Sequence, residues 1–295
     1  MKGEADFIDR LRALATHPAA RGLADDAAVL DIGGESLVLT HDTLVEGVHV
    51  LPGQDPADIA WKLVATNLSD LAAKGAEPLG VLLAHMLGPD DARFLDGLAE
   101  VLAHYDVPLL GGDTVSGGPP RVFGLTAIGR ATHRPVPSRA GARNGDGVWL
   151  TGAVGAAMMG LEALREGTAA DRGADSTAYR RPVALLAEGR ALAPLVSAMM
   201  DLSDGLLLDA FRLAEASGVS LALESGAVPI AAPEQRRLDA LSWGDDYQLL
   251  FTLPPGQEPP VAATRIGTVE PLGFVPLFLD GEPITNTAGL GYLHR

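Results

Sequence analysis

The 295-residue chain is 47% hydrophobic and 20% charged, enough apolar material for one large or two moderate domains with their own cores, so intrinsic disorder is excluded. Its 22 Lys and Arg against 38 Asp and Glu leave a formal charge of -16, which argues against a binder of nucleic acid that draws its affinity from basic residues on phosphates. Cysteine is absent, so disulfides, thiolate nucleophiles, iron–sulfur clusters and cysteine-held zinc are excluded as well.

The opening MKGEADFIDRLRAL lacks the apolar run of a signal peptide, and Phe7, Ile8, Leu11 and Leu14 predict a short helix over residues 4–14. Strands are predicted at 27–30 and 36–40 around a Gly33-Gly34 turn, then a helix over 56–73 capped by Asp55. A strand at 79–86, a helix over 90–104 and strands at 107–110 and 122–131 complete an alternating α and β pattern. The longest apolar stretch, 79–87, is far short of the roughly 20 residues that span a bilayer, so a cytoplasmic protein without membrane contact is expected.

Residues 132–146, with Pro135, Pro137, Gly141 and Gly145, form the best boundary and predict domains at 1–135 and 136–295. Beyond it come a strand at 147–151, a helix over 156–165, a loop over 167–178, helices over 182–193 and 204–217, and strands at 221–223 and 248–253. Four prolines in residues 254–260 predict a loop. The turn Gly152-Ala153-Val154-Gly155 sits between strand and helix, where backbone N–H groups can cradle an anion or simply form a tight turn. Without GxGxxG or a P-loop lysine, it does not define a nucleotide fingerprint. A short echo links Asn67-Leu68-Ser69-Asp70-Leu71 to Asp201-Leu202-Ser203-Asp204-Gly205-Leu206.

Acidic residues recur at predicted element ends: Asp25-Asp26, Asp42-Thr43, Asp70, Gly111-Gly112-Asp113-Thr114, and Asp201 with Asp204. Hard cations such as Mg2+ take carboxylate and hydroxyl oxygens and bridge them to phosphates, so the acidity is compatible with a phosphorylated substrate. Individually these residues fit helix caps and turns equally well. Spacing alone leaves both readings open.

The succession GLADDAAVL, LTHDTLVEGVHV, NLSDLAAKGAEP, LLGGDT, AIGRA, DLSDGLLLD, WGDDYQL and GYLHR closely resembles the thiamine-monophosphate kinase family. That family lies within the aminoimidazole ribonucleotide synthetase and selenophosphate synthetase superfamily, and the motifs keep family order from Asp25 to Tyr292. The resemblance implies a mixed α+β protein of two domains: an N-terminal ATP- and metal-binding sheet domain (1–135) that pairs with a second copy as a dimer-interface barrel, and a C-terminal α+β domain (136–295) completing the cleft. It further implies phosphorylation of thiamine monophosphate to the diphosphate by ATP, with several Mg2+ ions, an optional monovalent cation, and a homodimer.

By motif, the resemblance implies metal ligands at Asp25, Thr40, His41, Asp42, Asp70, Asp113, Asp201 and Asp204. ATP contacts are implied at Tyr105, Gly112, Arg130 and Ser203, and substrate contacts at His49, Asp245 and Tyr292. No covalent nucleophile or general base is expected, because a phosphate monoester oxygen is already largely ionised near neutral pH. Three positions depart from the family: Ala24 for glycine, His41 for threonine, and WGDDYQL for GGEDYEL, with Trp243 and Asp245. They motivate two rival expectations, another ATP-dependent superfamily reaction and a weakened thiamine-phosphate or nucleotide binder.

Overall fold

Period-two patterning in the first half yields a five-stranded sheet in the computed structural model, which describes residues 4–167 and 175–293. After α1 (Glu4–Arg12), strands β1 (Ala28–Ile32) and β2 (Glu35–Val45) form a hairpin. Gly33 and Gly34 turn it at φ 58° and 91°, a conformation that suits glycine. With β3 (Ala76–Leu87), β4 (Leu109–Ser116) and β5 (Val122–Ala131) the order is β1-β2-β5-β3-β4, and only β3 and β4 run parallel. Two helices, α2 (Pro56–Ala73) and α3 (Asp91–Tyr105), complete this half. As expected, Asp55 caps α2, accepting from Ala57 N at 3.0 Å, with Pro56 at the first helical position.

The dimer-interface barrel is corrected by this topology: among the described residues no sheet is closed. β1 and β4 stand at opposite edges with three strands between them, and a barrel requires its edges to meet. Every residue of β4 is exposed. The segment Gly111-Gly112-Asp113-Thr114, equally readable as a turn, lies inside β4, where both glycines take positive φ values of 156° and 151° that other residues rarely adopt.

The second half builds a seven-stranded sheet from β6 (Gly147–Leu150), β7 (Ala198–Asp201), β8 (Val219–Leu223), β9 (Leu249–Leu253), β10 (Thr264–Pro271), β11 (Leu277–Leu279) and β12 (Glu282–Ile284), in the order β12-β11-β8-β10-β6-β9-β7. Its helices among the described residues are α4 (Ala156–Arg165), α5 (Thr177–Arg180), α6 (Leu186–Leu192), α7 (Leu206–Ser217) and α8 (Arg237–Ser242). Most of the loop expected at 167–178 lies outside the described residues. The helix expected over 182–193 is confined to α6, because the backbone at Leu185 is not helical (φ -87°, ψ 54°).

Sixteen of the 18 residues of α2 are buried. One side meets β2, β3 and β5, while α3, α5, α6 and β7 cover the rest. A continuous apolar core therefore runs from Leu63, Leu68 and Phe123 to Trp149, Met199 and Phe251. At the start of α2, buried Asp58 pairs with Arg180 and Arg181 at 2.5 Å each, and Trp61 Nε1 donates to Pro182 O at 3.0 Å. Near its end, a Cβ on Gly189 would lie 2.0 Å from the Ala72 carbonyl oxygen. Gly189→Ala must push α6 off α2, and we expect a loss of about 1–3 kcal/mol, measured as a lowered midpoint in urea denaturation.

Candidate active site

Strand alternation places Thr40 and Asp42 on one face of β2 and His41 on the other. Asp70 comes from the last turns of α2, Asp201 from the end of β7 and Asp26 from the turn before β1. Oxygens of Asp26, Asp70 and Asp201 lie within 4.8 Å of one another. Thr40 Oγ1 donates to Asp70 Oδ2, Ser69 Oγ donates to Asp201 Oδ2 at 2.6 Å, and the Asn67 side chain accepts from Asp42 N at 3.0 Å. The two echoing segments thus meet, although one is helix interior and the other a strand-to-helix turn.

Cations meet only part of this acidity. Lys74, wholly buried, contacts Asp25 and lies 2.5 Å from Asp26 Oδ2. Arg21 reaches Asp25 at 2.6 Å and Arg139 reaches Asp26 at 2.5 Å. Burial alone would raise the Asp25 carboxyl, but Lys74 and Arg21 bring it down to about 2. Among the described residues Asp42, Asp70 and Asp201 form no ion pair. Burial, reinforced by Asp204 and Asp26, pushes Asp42 up to about 6, and burial with the neighbouring Asp26 pushes Asp201 up to about 8. Asp70 is raised well above the ordinary range by burial and then by Asp42, Asp201 and Asp26. Crowded carboxylates with few cationic partners fit the oxygen-ligand chemistry of a hard divalent cation.

A cavity of about 480 Å³ opens beside this cluster. Asp42, Asp70, Asp201, Ser203 and Asp204 line it together with His49, Tyr179, Trp243, Asp245 and Tyr292, so residues from both halves share one space. Asp204 pairs with Arg212, and Asp209 Oδ2 accepts from Asp204 N at 3.0 Å and Gly205 N at 3.2 Å, fixing the turn into α7. The Gly152–Gly155 turn holds an internal carboxyl group: Asp246 Oδ2 accepts from Gly155 N at 2.8 Å at the start of α4. Burial lifts the Asp246 carboxyl to about 7 despite this bond.

The predicted residues divide clearly. Asp42, His49, Asp70, Asp201, Ser203, Asp204, Asp245 and Tyr292 gather on the cavity, with Thr40 bonded to Asp70. Asp25 is close behind, tied to Lys74, while its neighbour Asp26 supplies the clustered oxygen. Elsewhere stand exposed His41, bonded to Thr126 at 2.9 Å, and Gly112 and Asp113 on the edge strand β4. Arg130 is paired with Glu77 at 2.8 Å, and the Tyr105 hydroxyl accepts from Ala184 N at 2.9 Å. Sequence reasoning missed Lys62, Lys74, Arg139 and Tyr179. The rarity of lysine, three in the chain, offered a signal for the first two, and Lys74 also lies inside the NLSDLAAKGAEP motif.

Two tandem α/β halves around a carboxylate-lined cavity define an AIR synthase related protein: the model of that family's N-terminal domain matches residues 24–131 and that of its C-terminal domain residues 143–271. The chain is 37% identical to thiamine-monophosphate kinase of Salmonella typhimurium over 85% of its length and 81% of the relative's. It is 36% identical to the Escherichia coli K12 enzyme of that name over 95% and 94%. The structure described as AaThiL complexed with AMPPCP and TMP superposes with a TM-score of 0.87 at 29% identity, covering 99% of this chain and 97% of that one. The chain belongs to the thiamine-monophosphate kinase family.

The cluster's electrostatics carry a pH signature. A carboxyl whose pKa is higher folded than unfolded binds more protons in the native state, so stability falls as pH climbs from its ordinary value to its folded one. Asp42 contributes up to about 6 and Asp201 up to about 8, whereas the opposite effect of Asp25 is confined below the ordinary carboxylate range. Without metal, thermal melting should fall between about pH 5 and pH 8. Asp201→Asn should flatten the slope, and added Mg2+ should raise melting most at the alkaline end, as followed by scanning calorimetry.

Proposed function

We propose that this chain is an ATP-dependent thiamine-monophosphate kinase, phosphorylating thiamine monophosphate to thiamine diphosphate. One observation carries the reading beyond family membership. A single cavity holds a carboxylate cluster fit for metal-bound phosphates and an aromatic-lined portion fit for a cationic heterocycle. We assign Asp26, Asp42, Asp70 and Asp201 to hold Mg2+, with Asp25, Thr40 and Asp204 supporting them and Ser203 facing an ATP phosphate. When bound, Mg2+ would neutralise charge gathering on the phosphoryl oxygens.

The chain's own residues do the positioning. Lys74, Arg21 and Arg139 fix Asp25 and Asp26 by ion pairs, and Ser69 and Thr40 orient Asp201 and Asp70. Tyr292 and His49, whose ring centroids are 6.4 Å apart, would pack the thiamine rings with Trp243 and Tyr179. A monophosphate oxygen of the substrate attacks the γ-phosphorus in line. That O–P bond forms as the bond to the bridging oxygen of ADP breaks, and no enzyme nucleophile is needed.

Residues 1–135 serve ATP, metal and dimer contacts, and 136–295 complete the cleft. Exposed Leu109, Leu110 and Val115 on the unpaired edge β4 support a homodimer. No helix among the described residues is long and apolar enough to cross a membrane, and ATP as co-substrate supports a cytoplasmic site of action.

Phosphorus NMR of protein with ATP, Mg2+ and thiamine monophosphate should show thiamine diphosphate and ADP growing in equal amounts. Asp70→Asn should lower kcat by about 100-fold or more with the fold intact by circular dichroism. An unchanged nucleotide signal in the wild type, or full activity in Asp70→Asn, would refute the assignment.

A further inference from the structure

Lys62 is a charged side chain with no evident reason to be where it is. It lies in the middle of α2, is 1% exposed, and is absent from the cavity lining. Its ammonium reaches from the first half of the chain to the second, donating to Asp245 Oδ2 at 2.8 Å and to His49 O at 3.2 Å. It also lies 4.0 Å from the ring centroid of Tyr179, whose hydroxyl donates to the same His49 oxygen at 3.2 Å. The other oxygen of Asp245 accepts from the Tyr247 hydroxyl at 3.0 Å. Both carboxylate oxygens are therefore engaged, yet the side chain keeps 27% of its surface, within the cavity.

We infer that Lys62 is a positioning residue for the organic substrate, holding the Asp245 carboxylate so that a free lone pair of each oxygen faces the planar ring bound in the cavity. The inference rests on the reading of that cavity as the thiamine monophosphate site. An ionised carboxylate offers about four acceptor positions, and two protein donors leave two for a ligand. Those two are useful for recognition only if the carboxylate cannot rotate. A compact ammonium cradled by a carbonyl and an aromatic face supplies that restraint from behind, without touching the ligand. The turn itself is set by backbone: Asp245 and Tyr247 adopt φ of 66° and 50°, and their N–H groups donate to Ser203 O at 2.9 Å and Leu202 O at 2.8 Å. The side chain selected in this way is an acceptor for an amino group on a ring, such as an aminopyrimidine, and disfavours analogues that present a carbonyl there.

Steady-state kinetics on the full-length chain test the inference. K62M should raise KM for thiamine monophosphate about tenfold, leave KM for ATP within about twofold, and reduce kcat less than KM rises. K62R should recover most of the loss. D245N should itself raise KM for thiamine monophosphate about tenfold, and K62M/D245N should match D245N within about twofold, because Lys62 acts through Asp245. If K62M alone does not fold, that second comparison decides alone. An unchanged KM in K62M, an equal rise in both KM values, or a further tenfold loss of K62M/D245N over D245N would overturn the inference. A wild-type chain that forms no thiamine diphosphate would instead overturn the cavity's assignment and this inference with it.

Discussion

Everything that matters in this molecule passes through a helix with no solvent side. Because α2 is wrapped by one sheet, by α3 and by α5, α6 and β7 of the other half, each polar group it carries must find a partner inside the protein. Asp58 does so with two arginines, Lys62 with Asp245, Asn67 with the backbone of Asp42 and Ser69 with Asp201. These contacts join segments far apart in sequence, so satisfying the helix also assembles the site.

Asp70 is the exception among those groups. Its one hydroxyl partner, Thr40, does little against burial and three neighbouring carboxylates. Such an arrangement is costly to fold around and serves best when a ligand supplies the missing positive charge. The basic residues nearby are already committed: Lys74, Arg21 and Arg139 neutralise Asp25 and Asp26, and Arg212 neutralises Asp204. Asp42, Asp70 and Asp201 are thereby left as the crowded carboxyls without a cationic partner among the described residues, and their raised pKa values express that lack.

Much of this was legible in the chain, for identifiable reasons. The helical pattern of 56–73 and its Asp55 cap located α2 with its observed bounds, and the motifs located most of the cavity lining. What was lost depended on direction. His41 and Asp42 are adjacent in sequence, yet a strand sends them to opposite faces, so the motif could not place the imidazole. Asp25 and Asp26 also part company: both meet Lys74, but only Asp26 supplies an oxygen to the cluster. Closure of a sheet is a property of edges that meet in space, which no local pattern encodes, and β10, β11 and β12 were too short or too polar to stand out. Lys62 lies outside the quoted motifs and Lys74 sits inside NLSDLAAKGAEP without an implied role, and the burial of both follows only from the packing around them.

The chain's charge of -16 has a kinetic meaning as well. Long-range fields act before any contact is made, and this one opposes the approach of every anion the cavity is built to receive. Encounter with a free polyphosphate should therefore quicken as salt screens the field, the reverse of a basic nucleotide pocket, over a Debye length of about 8 Å at physiological ionic strength. A nucleotide arriving with its charge already shielded meets a lower barrier than a bare one. The same acidity that equips the interior thus acts outside it as a filter on the form in which ligands enter.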